Sequence, residues 1–356
     1  MLRGNVQLWT HGGNMKHASV RRAAAGLAVL LSTSGLTACG GAEGTVVEGP
    51  WEDVVAAAEE EGSVSFYSVM PDVQNKRLVA AFKKEYPEIT VNLTRGAGEL
   101  PARVESEIKS KAEGADVFLY SDPAWFTNQK GAFLEADGPS LKGWHDDAWA
   151  VKNEAILPSA LPYSMIVWNK EIFPKGFKTW EDTVDPSVKG KLGLRTDVTT
   201  SIAGYLDFQE KELGEEHLVK SGKLSPKFYP SVVTMTQAVA SGEIGVTNIS
   251  TPSTVKQMQE QGAPIEAIVP HPSYWIEWGA AALDKSRRPN SARVFLDFLM
   301  SEKGQAAVNG DGFGAAGRDG VEGAIELPED ATMLDSSSYT PERIEEANKK
   351  FKKWFG

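Results

Sequence analysis

The chain has a single cysteine, Cys39, among 356 residues, so no internal disulfide can form and stability has to come from packing. It also lacks an uninterrupted apolar run of the roughly 20 residues needed to cross a bilayer. The N-terminal run, residues 23–31, is broken by Ser32, Thr33, Ser34 and Gly35. Histidine is scarce. His11 and His17 fall near the N-terminus, and His145, His217 and His271 have neither metal-ligand spacing nor a neighbouring nucleophile motif. No long basic block follows the N-terminal segment, and 48 acidic against 37 basic residues give a formal charge of −11, which argues against a nucleic-acid partner. No internal repeat is present.

What the N-terminus does contain is ordered. Lys16, His17, Arg21 and Arg22 precede the apolar run, and Leu36-Thr37-Ala38-Cys39-Gly40 follows it: basic, apolar and cleavage regions in the sequence of a secretory signal. The Leu-Thr-Ala-Cys-Gly stretch resembles the lipobox of bacterial lipoproteins. That resemblance implies cleavage before Cys39 and a diacylglycerol on its thiol, which would tether the protein to a membrane surface. Residues 1–38 are therefore expected to be a signal peptide, with Met15 a more conventional start than Met1. Residues 39–50, glycine-rich and without an apolar period, are expected to be a flexible spacer.

Beyond Trp51 the chain alternates. A helix with Trp51, Val54, Val55 and Ala58 on one face stops at Gly62. Strands are expected at 64–67, 90–94 and 117–120, with helices at 75–86 and 101–112 between them. Such alternation makes a parallel sheet. In the helix at 101–112, Glu105 with Lys109 and Glu107 with Lys111 form i,i+4 pairs expected on the outside. A second series follows Pro186: a strand at 192–195, a helix opened by Thr199 and Thr200, a strand around 243–248, a helix opened by Thr251-Pro252 and a strand at 265–269. Two apolar segments too short for helices, 161–169 and 273–283, flank this series and read as two crossings between lobes. The C-terminal helices, with Val294, Phe295, Phe298 and Leu299 on one and Ile344, Phe351 and Trp354 or Phe355 on the last, are expected to pack on the first lobe. The expected division is 51–162 plus 275–356 for the first lobe and 163–274 for the second.

The stretches SVSFYSVMPDVQNKRLVAAFKKEYP, GADVFLYSD, VASGEIGVTN and SRRPNSARVFLDFLMSEKGQAAV, together with the lipobox, resemble the ABC-transporter solute-binding proteins of the family 1 group related to ferric-iron binders. The resemblance covers nearly all of the mature chain. It implies an α/β, two-lobed type II periplasmic-binding fold with a hinge, an extracytoplasmic or lipid-anchored location, and permease transmembrane subunits as partners. A monomer without cofactor or catalytic residues is expected. Ligands of such folds sit beyond the carboxyl ends of strands, which gives the candidates Ser68, Met70, Arg95, Gly96, Ser121, Asp122, Arg195, Thr199, Thr200, Asn248 and Ser250, with Tyr163, Tyr274 and Trp275 from the crossings.

Ferric-binding relatives use a tyrosine pair after a second-lobe strand. Here that place reads Thr247-Asn248-Ile249-Ser250, the first loop has Met70-Pro71 without histidine, and only Asp122 stands in for the carboxylate. Arg95 and Arg195, ending strands in opposite lobes, suit a carboxylate, phosphonate or phosphate ester instead. A ferric or iron-chelate ligand is the alternative. An exported hydrolase, which would need Asp122 and Glu277 brought together as a carboxylate pair, is the second. Trp275 and Trp278 lie on opposite faces of a strand, so only one of them can face a cleft.

Overall fold

The computed structural model describes residues 44–96, 99–110 and 112–356, so residues 1–38, expected to be a signal peptide, and Cys39 lie outside the described residues. Among these, the first lobe begins with α1 (Trp51–Glu61), β1 (Ser63–Ser68), α2 (Asp72–Glu85), β2 (Thr90–Arg95), α3 (Leu100–Ser110), β3 (Val117–Tyr120) and the short α4 (Pro123–Asn128). Helix α1 buries Val54 and Ala58 and ends where Gly62 takes a positive φ of 70°, a conformation that favours glycine. Strands β4 (Trp149–Val151) and β5 (Ala155–Pro162) complete this part. The chain then passes through Tyr163 into β6 (Ser164–Asn169), whose six residues are all buried.

The second lobe adds β7 (Leu192–Arg195), α5 (Thr200–Leu213), α6 (Glu215–Lys223), β8 (Lys227–Tyr229), α7 (Val232–Ala240), β9 (Val246–Ile249), α8 (Pro252–Glu260) and β10 (Ile265–Ile268). Its sheet has the order β10-β6-β9-β7-β8, with β7 parallel to both neighbours. A segment containing a cis His271–Pro272 bond leads back to β11 (Tyr274–Ala282). The nine residues of β11 lie between β5 and β3 in the first sheet, which runs from the short edge strand β12 (Ala315–Ala316) in the order β12-β5-β11-β3-β1-β2, where β1 is parallel to β2 and β3. Helices α9 (Pro289–Met300) and α10 (Glu302–Asn309), then β12 (Ala315–Ala316) and β13 (Thr332–Met333), belong to this lobe. The last element is α11 (Pro341–Phe355).

Three expectations change. The last helix packs on the second lobe: Arg343 lies 2.9 Å from Asp207, Lys350 2.6 Å from Glu210 and Lys353 2.5 Å from Glu215, all carboxylates of α5 and α6. An amphipathic face shows that a helix is buried, not against which partner. The stretch between β13, which pairs with β11, and α11 is therefore a third crossing.

The spacer, expected to be flexible as far as Pro50, is held from its described end onward. Asn290 accepts from the Val47 N–H and donates to the Thr45 carbonyl, each at 2.9 Å, and Arg293 donates to the Val47 carbonyl at 2.7 Å. Glu107 also turns inward. Its carboxylate takes hydrogen bonds from Arg103, the Tyr67 hydroxyl and the Ala115 N–H, and it is only 13% exposed. Lys111 lies outside the described residues.

Candidate functional site

The carboxyl ends of the parallel strands of both sheets open on one cleft of about 580 Å³. Val69 and Pro71 follow β1, Gly96 follows β2, and Ser121 and Asp122 follow β3. From the other lobe, Thr199, Thr200 and Ser201 follow β7, Pro230 and Ser231 follow β8, and Thr251 follows β9. This is the place where parallel α/β sheets bind ligands, because the loops there also start helices. Ile276 and Trp278 of β11, Tyr163 of the crossing and Ile344 of α11 complete the walls.

The second-lobe wall is built from three helix starts. Thr199 precedes α5, Ser231 precedes α7 and Thr251 precedes α8, so the opening N–H groups of each helix, which no carbonyl of the same helix can reach, lie at the cleft. Beside them Arg195, at the end of β7 and 12% exposed, donates from Nη2 to Asp197 at 2.7 Å. Its Nε is buried without an acceptor. Tyr163 is buried beneath this wall. Desolvation raises its pKa above the usual phenol value, against the lowering effects of Arg195 and of a hydrogen bond with Ser201. The first-lobe wall is different in kind. Arg95 directs Nε to the Met70 carbonyl and to Asp72, both at 3.3 Å. Asp122 accepts from the Ala124 N–H at 3.1 Å as the cap of α4. Burial, and then the Asp122 charge, push the Tyr120 hydroxyl up to about 12.

Eight of the residues singled out from sequence line the cleft: Arg95, Gly96, Ser121, Asp122, Tyr163, Arg195, Thr199 and Thr200. Six do not. The Ser68 side chain folds back to accept from the Met70 N–H at 3.1 Å, and Met70 is fully buried, so these two shape the loop that presents Val69 and Pro71. Asn248 is buried, with its carbonyl taken by the Tyr205 hydroxyl at 2.9 Å. Ser250 Oγ lies 2.9 Å from Thr236 Oγ1 in the interior. Tyr274 is 2% exposed, and its ring centroid lies 5.8 Å from Tyr205 and 5.5 Å from Phe208. Trp275 is buried with its indole N–H on Ser273 Oγ at 2.9 Å, while Trp278 takes the cleft face.

Tyr120, Pro230, Ser231, Val232, Val233, Thr254, Ile276 and Ile344 were not foreseen. Ser231 ahead of an apolar run carries an N-cap signal, whereas Asp197 lies in the 195–201 loop expected at the cleft. Ile344 comes from the far end of the chain and gives no such signal.

Glu277 lines a different cavity, of about 490 Å³, with His145, Asp147 and Arg318 on the other face of β11. Burial and the charge of Asp147 raise its pKa. Asp122 and Glu277 therefore do not meet in one cavity. Of the histidines, His217 is buried against Trp180, and His145 and His271 each lie 3.2 Å from an aspartate, Asp319 and Asp330. Among the described residues no group of three or more His, Cys, Asp and Glu side chains could hold a metal ion, and no helix is long and apolar enough to cross a membrane.

A search of curated proteins by sequence returns no match. Among solved structures, a substrate-binding protein of an ABC transporter from Agrobacterium tumefaciens aligns with a TM-score of 0.71 at 17% identity, over 81% of this chain and 94% of that one. Iron-bound HitA from Pseudomonas aeruginosa aligns at 0.60 and 20% identity, over 82% and 97%. AfuA from Actinobacillus pleuropneumoniae, with fructose-6-phosphate bound, aligns at 0.59 and 19% identity, over 83% and 98%. These likenesses show a shared two-lobed periplasmic-binding fold. The model of the bacterial extracellular solute-binding proteins matches residues 71–306, more than half of the sequence, and the chain belongs to that family.

Proposed function

We propose that the protein captures a small anionic or polar organic solute, a carboxylate, phosphonate or phosphate ester, in the interlobe cleft and delivers it to the permease of an ABC importer. The observation that carries this is the second-lobe wall, where three helix starts and Arg195 face one cleft. Helix N-termini and a guanidinium fork both favour negative oxygen, and the same donors serve carboxylate and phosphoryl groups. Closure of the lobes is then driven by contacts that a solute makes only in the closed form. The protein acts by binding, as a monomer, without catalysis.

Structural neighbours of this fold hold iron in one case and a sugar phosphate in another, so the lining decides. Tyr120 and Tyr163 are the tyrosines lining the cleft among the described residues; they are not a neighbouring pair in the chain, and burial raises both phenols above their usual value, which disfavours the phenolate form. A ferric site favours phenolate and carboxylate oxygens, so the iron reading has less support than the anion reading.

A thermal-shift screen of the domain with organic acids, phosphonates, sugar phosphates and ferric citrate tests this. A solute present at a hundred times its dissociation constant adds about 2.7 kcal/mol. Stabilisation by ferric citrate alone, with a tyrosinate-to-iron absorption band, would favour iron. We further propose that Cys39 carries the lipid anchor. Cys39→Ser is expected to move the protein from the membrane to the soluble fraction, and unchanged fractionation refutes the anchor.

A further inference from the structure

Four charged side chains line the cleft: Arg95, Asp122, Arg195 and Asp197. Three are compensated on their own walls, Arg195 and Asp197 by each other at 2.7 Å and Arg95 by Asp72 at 3.3 Å. Asp122 differs. Its side chain accepts a backbone N–H, and among the described residues no cation lies within ion-pairing distance of it. It stands at the mouth of the first lobe, opposite a wall whose helix starts suit an anion. An anion alone would meet repulsion there as the lobes approach, since like charges in a water-poor cleft are costly.

The remaining first-lobe lining suits a cation. Tyr120 precedes Asp122 by two residues, Trp278 lines the same cleft, and aromatic faces attract ammonium groups. From the charge on each wall, resting on the anion reading proposed above, we infer that the solute is a zwitterion: its acidic group sits on the second lobe against Arg195 and its protonated amine on the first lobe against Asp122. Each lobe then binds a different end of the solute. Closure brings the amine to Asp122, so the contact that distinguishes the zwitterion from a plain anion is made only in the closed form.

The structural role of Asp122 is that of a helix cap, and this makes the experiment clean. Asparagine caps a helix as well as aspartate does, so Asp122→Asn keeps the cap and removes the charge. Titration calorimetry with matched pairs, propionate against β-alanine and ethyl phosphate against phosphoethanolamine, measures what the amine adds. In the wild-type protein the amine-bearing member of at least one pair is expected to bind about tenfold tighter or better, the scale of one hydrogen bond to a charged group. In Asp122→Asn the amine-bearing member should weaken, the amine-free member should tighten, and the preference should collapse. Amine-free members that bind as well as their partners, or a preference that survives in Asp122→Asn, would overturn the zwitterion while leaving the anion reading intact. If no member of either pair binds, the zwitterion fails, while the anion reading stands or falls separately on the thermal-shift screen above.

Discussion

Nη2 of Arg195 lies 2.7 Å from Oδ1 of Asp197, and Nε of the same guanidinium is buried with no acceptor. The aspartate holds the fork in place while one donor stays unspent. A group positioned before the solute arrives loses little entropy on binding. The unpaired donor, buried at some cost to the empty protein, marks where an anionic oxygen belongs.

Arg195→Ala is expected to weaken binding of the best anion found by screening by about 2–3 kcal/mol, the range for charge-assisted hydrogen bonds. Asp197→Asn should cost less, because the guanidinium remains but is held more loosely. Calorimetry of both variants decides the point. A loss no larger than that of Lys349→Ala, an exposed position on α11, would remove Arg195 from the site.

At Gly204 on α5, a Cβ would fall 2.2 Å from the Tyr274 hydroxyl and 2.8 Å from Leu334 Cδ1. Both neighbours belong to segments that leave or enter the crossings. Gly204→Ala is therefore expected to force Tyr274 away from α5 and to destabilise the fold by ~1–3 kcal/mol. The urea midpoint measures it, and an unchanged midpoint would mean the ring can shift at no cost.

Two buried groups titrate with opposite signs. Burial lowers His217 from 6.5 to about 4, so below pH 6.5 the unfolded chain binds a proton that the folded chain refuses, and stability falls as pH drops. Burial raises Asp297 from 3.8 to about 6 against the hydrogen bonds from Ser140, so the folded chain keeps a proton the unfolded chain has lost, and stability falls as pH rises. Between pH 4 and pH 6 these slopes oppose each other, each worth up to ~3 kcal/mol. His217→Leu should leave stability falling from pH 4 to pH 6, and Asp297→Asn should leave it rising. Urea midpoints at the two pH values are the measurement, and slopes of the same sign in both variants would refute the pairing.

On α11, Lys353 lies 2.5 Å from Glu215 but is 68% exposed, whereas Trp354 is 6% exposed with its indole N–H 3.1 Å from the same carboxylate. Exposed ion pairs contribute about 0–1 kcal/mol, and deleting a buried tryptophan side chain costs about 3–5 kcal/mol. Lys353→Ala should hardly move the thermal midpoint, and Trp354→Ala should lower it by many degrees. Comparable effects would show that charge, not packing, holds the helix.

The strand-and-helix alternation was legible where a strand is short, apolar and followed by a polar turn, as at β1 and β3. Arg95, Asp122 and Arg195 could be found for the same reason, as charged residues at strand ends. Ser68 and Met70 occupy the same kind of position but turn inward, through a hydrogen bond that no spacing encodes. Ser231 was passed over because β8 before it is exposed on both faces at Lys227 and Phe228 and gives no alternation. The partner of α11 was not readable at all. Its apolar face fits either lobe, and the choice is made by carboxylates of α5 and α6 more than a hundred residues away in the chain.

That choice has a consequence for the order in which the molecule can be made. The second lobe is not closed until the final helix arrives, since Phe351 packs on Phe228 and the Trp354 carbonyl sits where a Cβ on Gly222 would be. A chain growing from its N-terminus therefore carries an unsealed apolar surface on α6 and β8 until α11 is available. The first lobe is interrupted as well, waiting for β11 to fill the gap between β5 and β3. Each lobe thus takes part of its packing from a segment that follows the other lobe in the chain, and neither has all of its partners until both are present.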